Sequence, residues 1–331
     1  MRSTAGVSEN KSMAVYTDVT FEDLEALLTL YDIGSPLSFK GIAEGVENSN
    51  FYLQTDCGAF ILTLYEKRVS PGDLPFYLGL MEHLARAGIV CPLPVPTRGG
   101  ALSSSLNRRP CAIVTFLNGL SVRRPSVHHC AGAGAALARL HQAGDGFALT
   151  RANALGPAGW KPLVEACDHN ADSVEDGLAA LVCEQLAAIT TAWPDLPSGV
   201  IHADLFPDNV LFMREEVSGI IDFYFACNDM FAYDLAVTLN SWCFEMDGSY
   251  NLTKGMALIQ GYRAVRPLSQ DEIAAMPVLM RGAALRFLLT RLFDLVNHDP
   301  SALVSPKDPK EYSKKLRFHM KVKDAREYGF G

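Results

Sequence analysis

Residues 199–222, GVIHADLFPDNVLFMREEVSGIID, limit the fold of this chain more tightly than any other stretch. Apolar Val200-Ile201 and Val210-Leu211-Phe212 flank a loop rich in acids, so short strands hold the ends of a polar turn. His202, Asp204 and Asn209 stand in the order H-x-D-L-x-x-x-N, and Asp222 follows across a second apolar run at 218–221. These residue types suit phosphoryl transfer. A carboxylate at Asp204 can orient an acceptor hydroxyl and take its proton. Charge spreading over the transferring oxygens calls for a hard cation, and Mg²⁺ takes oxygen ligands such as the Asp222 carboxylate and the Asn209 amide oxygen. His202 reads as a structural hydrogen-bonding residue. Asp234, in FAYDLA at a helix start, reads as a brace for the loop or a helix cap.

Upstream, residues 20–31 have the pattern of an amphipathic helix capped by Thr20, with Asp23 closing a capping box. Strands are predicted over 38–42, 50–55 and 60–65, the last two joined by Asp56-Cys57-Gly58. A helix over 73–87 ends at Gly88. A hairpin around Arg98-Gly99-Gly100 and a strand at 111–116 follow. From Pro125 the pattern is mainly helical, over 125–142, 159–168, 174–193, 231–245, 253–264, 270–297 and 309–324. The fold class is α+β in two lobes: a small N-terminal antiparallel sheet with a helix (13–118), then a larger, mainly helical lobe (119–325). Residues 1–12 read as a disordered leader and 326–331 as a tail.

A formal net charge of −8 over 331 residues offers no basic field for a nucleic-acid backbone. No apolar run approaches the ~18–20 residues of a membrane span, and the polar start MRSTAGVSENKS is no secretory signal. The eight cysteines form no CxxC pair and read as reduced thiols, so the expectation is a soluble, cytoplasmic protein. His128-His129-Cys130 lacks a second ligand pair and is not read as a metal site. His141, on AGAGAALARLH, reads as a satisfied core histidine.

At HADLFPDN and Asp222 the chain resembles the aminoglycoside phosphotransferase and choline kinase superfamily, relatives of the protein kinases. Within it, KGIAEGVENSNFYLQT (40–55), FILTLYEKR (60–68), DLPFYLGLMEHLARAG (73–88), IDFYFACND (221–229) and RGAALRFLLTRLFD (281–294) resemble the bacterial homoserine kinases of this fold. The resemblance spans about residues 13–320. It implies a two-lobed, protein-kinase-like fold that uses ATP and Mg²⁺ to phosphorylate L-homoserine, a step toward threonine. It also implies Asp204 as catalytic base, with Asn209 and Asp222 holding Mg²⁺. Gly45, Val46, Glu47, Asn48 and Ser49 would cover the ATP phosphates, and backbone around Thr115–Leu117 would meet the adenine. One departure stands out: the third strand carries Thr63 where related kinases have a Lys, leaving Lys40, Lys67 or loop backbone for the phosphates. Glu82 is the acid in the middle of the 73–88 helix. For the acceptor, Arg286 and Arg291 are candidates for the carboxylate, and Asn228 and Asp229 for the ammonium; Tyr224 and Trp242 read as core or pocket wall. The same fold also admits an aminoglycoside, choline or sugar derivative as acceptor, or a non-catalytic binding role.

Overall fold

Thr20 starts the first helix, α1 (Phe21–Leu28). Its hydroxyl accepts from the Asp23 N–H, and its own N–H donates to the Asp23 carboxylate, the reciprocal box expected from the sequence. The helix stops before the predicted 31 because the Leu30 and Tyr31 N–H groups bond three residues back, tightening the last turn. The computed structural model describes residues 17, 19–42, 48–66, 70–167, 170–298 and 305–331. The predicted leader and the residues Gly45, Val46, Glu47, Lys67 and Arg68 lie outside that set.

Strands β1 (Pro36–Ile42), β2 (Asn48–Thr55) and β3 (Gly58–Tyr65) follow, with Asp56-Cys57 turning the second hairpin at Thr55 opposite Gly58. After α2 (Leu74–Arg86) come β4 (Ser104–Leu106) and β5 (Arg109–Thr115), and the five strands pair antiparallel in the order β1-β2-β3-β5-β4. Leu24, Leu27 and Leu28 of α1 join Phe51, Leu53, Leu62, Leu64 and Ile113 in one apolar cluster, as alternation along the strands requires. The described residues of Met1–Leu74 and Pro94–Phe116 form one compact unit, and Pro75–Leu93, Leu117–Asp299 and Pro306–Gly331 form a second. α2 thus groups with the helical part of the chain.

The hairpin expected at Arg98-Gly99-Gly100 is a closed turn between Thr97 and Ala101, outside any strand pair. The strand pair turns instead at Asn107-Arg108, with φ of 48° and 64°. A two-residue turn of this hand needs positive φ at both positions, normally signalled by glycine, and neither residue is one.

The second unit contains α3 (Val127–Ala143), α4 (Pro157–Cys167), α5 (Ala171–Val174), α6 (Leu178–Thr191), β6 (Ser198–Ile201), β7 (Val210–Met213), β8 (Glu216–Ile220), β9 (Cys227–Met230), α7 (Phe231–Trp242), α8 (Leu252–Val265), α9 (Gln270–Val296) and α10 (Lys310–His319). The single helix predicted at 174–193 is broken at Gly177, whose φ of 76° is left-handed. β9 escaped the sequence reading because Cys-Asn-Asp-Met carries little strand preference; it pairs antiparallel with β6. α9 is long and apolar enough to cross a membrane by length and composition, but most of its apolar window is buried, and α4, α6, α7 and α10 pack on it. α3 and α8 meet through glycines. A Cβ at Gly134 would run into the Leu258 carbonyl, and one at Gly261 into the Ala131 carbonyl.

Two buried histidine–tyrosine pairs fasten this unit. His141 Nδ1 lies 2.8 Å from the Tyr262 hydroxyl, joining α3 to α8, and His319 Nδ1 lies 2.8 Å from the Tyr328 hydroxyl, joining α10 to the C-terminal turn. Burial lowers the pKa of both imidazoles, that of His319 to about 3. Below about pH 6.5 the unfolded chain therefore binds protons that the folded chain refuses. Stability from this source is full above that pH and is lost as pH falls toward the folded values. His319 adds a slope that approaches about 1.4 kcal/mol per pH unit in that window, and His141 adds to it in the same direction. Urea unfolding between pH 7.5 and 5 should show the midpoint dropping below pH 6.5, and less steeply in His319→Asn; a midpoint flat to pH 5 contradicts this.

Candidate active site

Paired strands deliver the two ends of the polar loop. Ile201 of β6 lies opposite Cys227 of β9, and after the loop Val210 of β7 lies opposite Ile220 of β8. Ile221 is then held from both sides, its N–H donating to the Asn209 carbonyl (3.0 Å) and its own carbonyl accepting from His202 Nε2 (3.0 Å). Asp222, the next residue, turns with φ 65°. His202 thus supports the loop, and burial holds its imidazole below the usual range.

The loop backbone is fixed at almost every residue. Asp234, fully buried at the start of α7, accepts from the His202 N–H (2.8 Å) and His141 Nε2 (3.0 Å) on one oxygen and from the Ala203 N–H (2.9 Å) on the other. Burial alone would raise this carboxyl; the His141 bond, the histidines and the backbone bond together more than offset it, leaving it below its ordinary range. His141 is therefore satisfied, as read from the sequence, but it also orients the carboxylate that grips the loop. Ala203 sits at φ 62°, and its carbonyl accepts from Arg286 of α9. Trp242 Nε1 donates to the Leu205 carbonyl (2.8 Å), and Asn209 Nδ2 to the Asp204 carbonyl (2.8 Å) and to Asp204 Oδ2 (3.3 Å). With its N–H groups engaged, Asn209 has its amide oxygen to offer. Left-handed φ at a non-glycine residue is costly, so Ala203 and Asp222 mark positions where the surroundings impose the conformation.

A family model described as the phosphotransferase enzyme family matches residues 38–268. This chain belongs to that family. Among curated relatives, the homoserine kinase of Azorhizobium caulinodans is 61% identical over 96% of this chain and 99% of its own length. The homoserine kinase of Xanthobacter autotrophicus is 63% identical over the same shares. Among solved structures, an amicoumacin kinase with AMP-PNP and Ca²⁺ superposes with a TM-score of 0.68 at 16% identity, covering 90% of this chain and 91% of that one. A spectinomycin phosphotransferase with ADP superposes at 0.65 and 14% identity, covering 95% and 99%. These likenesses show the fold: a two-lobed, protein-kinase-like α+β architecture.

Within this phosphotransferase the other sequence candidates fall in varied places. Arg291 donates to Glu311 Oε2 (2.6 Å) and the Asp308 carbonyl (3.0 Å) and lies over the Tyr312 ring, so its charge is matched inside the helical unit. The Asn228 side chain accepts from the Arg151 N–H (2.9 Å), and Asp229 accepts from Asn153 Nδ2 (2.7 Å) and the Met230 N–H (2.7 Å). Those three side chains serve internal bonds. In the first unit, Thr63 is buried and donates to Asn50 Oδ1 (2.8 Å), its partner across β2 and β3. Lys40 is exposed on β1, Asn48 and Ser49 are buried at the start of β2, and Thr115 ends β5 opposite Phe60. In the second unit, half-buried Leu117 follows, and Glu82 pairs at 3.5 Å with Arg86 on the surface of α2.

Sequence reasoning missed Glu66, the residue just past β3. Its carboxylate is buried, accepts from Thr17 Oγ1 (2.6 Å) and Ser49 Oγ (2.8 Å), and pairs with Arg109 Nε (3.2 Å). An acid before Lys67-Arg68 reads as a solvated strand end. Only the antiparallel pairing of β3 with β5 brings Arg109 to it.

Proposed function

We propose that this phosphotransferase transfers the γ-phosphoryl group of ATP to the side-chain hydroxyl of L-homoserine, giving O-phospho-L-homoserine and ADP. The observation that carries this reading is identity of about 60% with curated homoserine kinases over nearly the whole of both chains. The structural neighbours at 14–16% identity share the fold alone and leave the acceptor open.

In this reading the Asp204 carboxylate orients the hydroxyl. As the new P–O bond forms and the bond from γ-phosphorus to the ADP oxygen breaks, Asp204 takes the hydroxyl proton and later returns it to water. Phosphoryl transfer asks the protein mainly for positioning, and the fixed backbone from His202 to Asn209 supplies it. The donor set fits Mg²⁺ arriving with the nucleotide. Among the described residues no group of three or more His, Cys, Asp or Glu side chains could hold a metal alone. The amide oxygen of Asn209 and the carboxylate of Asp222 suit an ion that takes its remaining ligands from phosphate and water. When bound, the ion would neutralise charge on the phosphates. Asn48, Ser49 and Thr63, with backbone at Thr115 and Leu117, remain the residues we assign to ATP, and 13–118 and 119–325 the nucleotide-binding and catalytic lobes. Eight free thiols, six of them buried, fit a reducing compartment.

An ADP-coupled assay with L-homoserine, L-serine, choline and kanamycin tests the reading. L-Homoserine should exceed L-serine, one methylene shorter, by about 10–200-fold in kcat/KM. Turnover of choline or kanamycin without turnover of L-homoserine overturns the assignment.

A further inference from the structure

Among the described residues, five buried side-chain nitrogen or oxygen atoms have no hydrogen-bond partner, and three of them belong to Arg286, which bonds the catalytic loop at Ala203, and to two tyrosines near it: Arg286 Nε, Tyr233 Oη and Tyr312 Oη. The Arg286 guanidinium lies 4.4 Å from the Phe287 ring centre, and the Tyr312 ring packs 5.2 Å from the same ring. The Tyr233 hydroxyl oxygen faces the Arg286 guanidinium, and its O–H has no acceptor. Phe225 covers the guanidinium at 5.5 Å.

The charge balance here is unusual for a protein interior. Arg286 is 1% exposed, and its hydrogen bond goes to the Ala203 carbonyl, a neutral acceptor. No carboxylate among the described residues pairs with it. Arg291, further along α9, has Glu311, and Arg266 has Glu272 at 2.8 Å. A buried cation without a counter-charge is costly, and so is each buried hydroxyl without an acceptor. All three orphan groups are donors, a fork of guanidinium N–H groups with two phenolic O–H groups, set in an aromatic wall. That is the complement of a carboxylate. Through Ala203, Arg286 is also bonded to the residue next to Asp204.

We infer that Arg286, Tyr233 and Tyr312 form the seat for the carboxylate of the acceptor, so that the chain selects an amino-acid alcohol over a cationic amino alcohol. The inference rests on the homoserine reading and goes beyond it by naming the residues that recognise the acceptor's anionic end. Asp204 then meets the hydroxyl end of the same molecule.

The test uses the full chain with Tyr233→Phe, Tyr312→Phe and Arg286→Lys. Removing a phenolic O–H that has no internal acceptor should leave the Tm nearly unchanged. The KM for L-homoserine should rise about 10–100-fold, as should the inhibition constant of L-2-aminobutyrate, which carries the carboxylate but no hydroxyl. The KM for ATP should stay within about twofold. Values for L-homoserine and L-2-aminobutyrate within about twofold of wild type in both Phe variants overturn the inference. So does a fall in kcat alone in Arg286→Lys, which would make that residue only a bracket for the loop. If the unaltered chain phosphorylates no L-homoserine, the parent reading fails and this one with it. Wild-type turnover beside insensitive variants sinks this one alone.

Discussion

Asp204→Asn is expected to lower kcat by about 10²–10⁴-fold while the KM for ATP stays within about twofold. The substitution keeps the size of the side chain and removes its ability to accept a proton. It also keeps the bond from Asn209 Nδ2 to the Asp204 carbonyl, a backbone group, so the loop should hold its shape. The grip on the loop comes from elsewhere, from Asp234 on the His202 and Ala203 N–H groups and from Trp242 on the Leu205 carbonyl. Phosphoryl transfer through a loose transition state moves the proton late, which favours the lower part of that range if the substituted amide still orients the hydroxyl. Steady-state rates, nucleotide affinity by titration calorimetry and the Tm together read the result. Full activity would remove Asp204 from the base role. Loss of nucleotide binding with an unchanged Tm would reassign it to the donor side.

How much of this could be read from the sequence depends on whether a signal is local. The loop from His202 to Asn209 is local: its residue types, its order and its flanking apolar runs lie within one stretch, and the strands fall where the pattern puts them. The capping box at Thr20 and Asp23 and the strand pairing across Asp56-Cys57 are local in the same way. What failed to show is contact between distant segments. Glu66 looks like a solvated acid until β5 brings Arg109 to it. His141 looks like core until α7 brings Asp234, ninety-three positions on, to its Nε2. Arg286 and Arg291 are indistinguishable along an apolar helix, and only the positions of Glu311 and Ala203 separate a matched charge from an unmatched one. The turn at Asn107-Arg108 misled for another reason: its positive φ values are imposed on residues that do not advertise them.

Asp222→Asn should raise the Mg²⁺ concentration needed for half-maximal activity by at least about tenfold, since losing a direct ligand should cost no less than losing an outer-shell partner. Asparagine is the informative choice because of the backbone. At φ 65° most side chains would strain the turn, whereas Asn enters the left-handed region more readily than any other residue except glycine. An alanine would mix loss of the ligand with a shifted backbone; Asn changes a charged oxygen donor into a neutral one and little else. Ile221 stays held by Asn209 and His202 on either side, so the position of residue 222 should survive. Asp208→Asn supplies the control, since Asp208 is exposed beside Asn209 and carries the same charge. If simple electrostatic attraction of the cation governed the response, both substitutions would move the Mg²⁺ titration alike. If Asp222 is a ligand, only its own substitution moves it, and part of the lost kcat should return as Mg²⁺ is raised. An unchanged titration in Asp222→Asn, with the Tm intact, would take Asp222 out of the metal site.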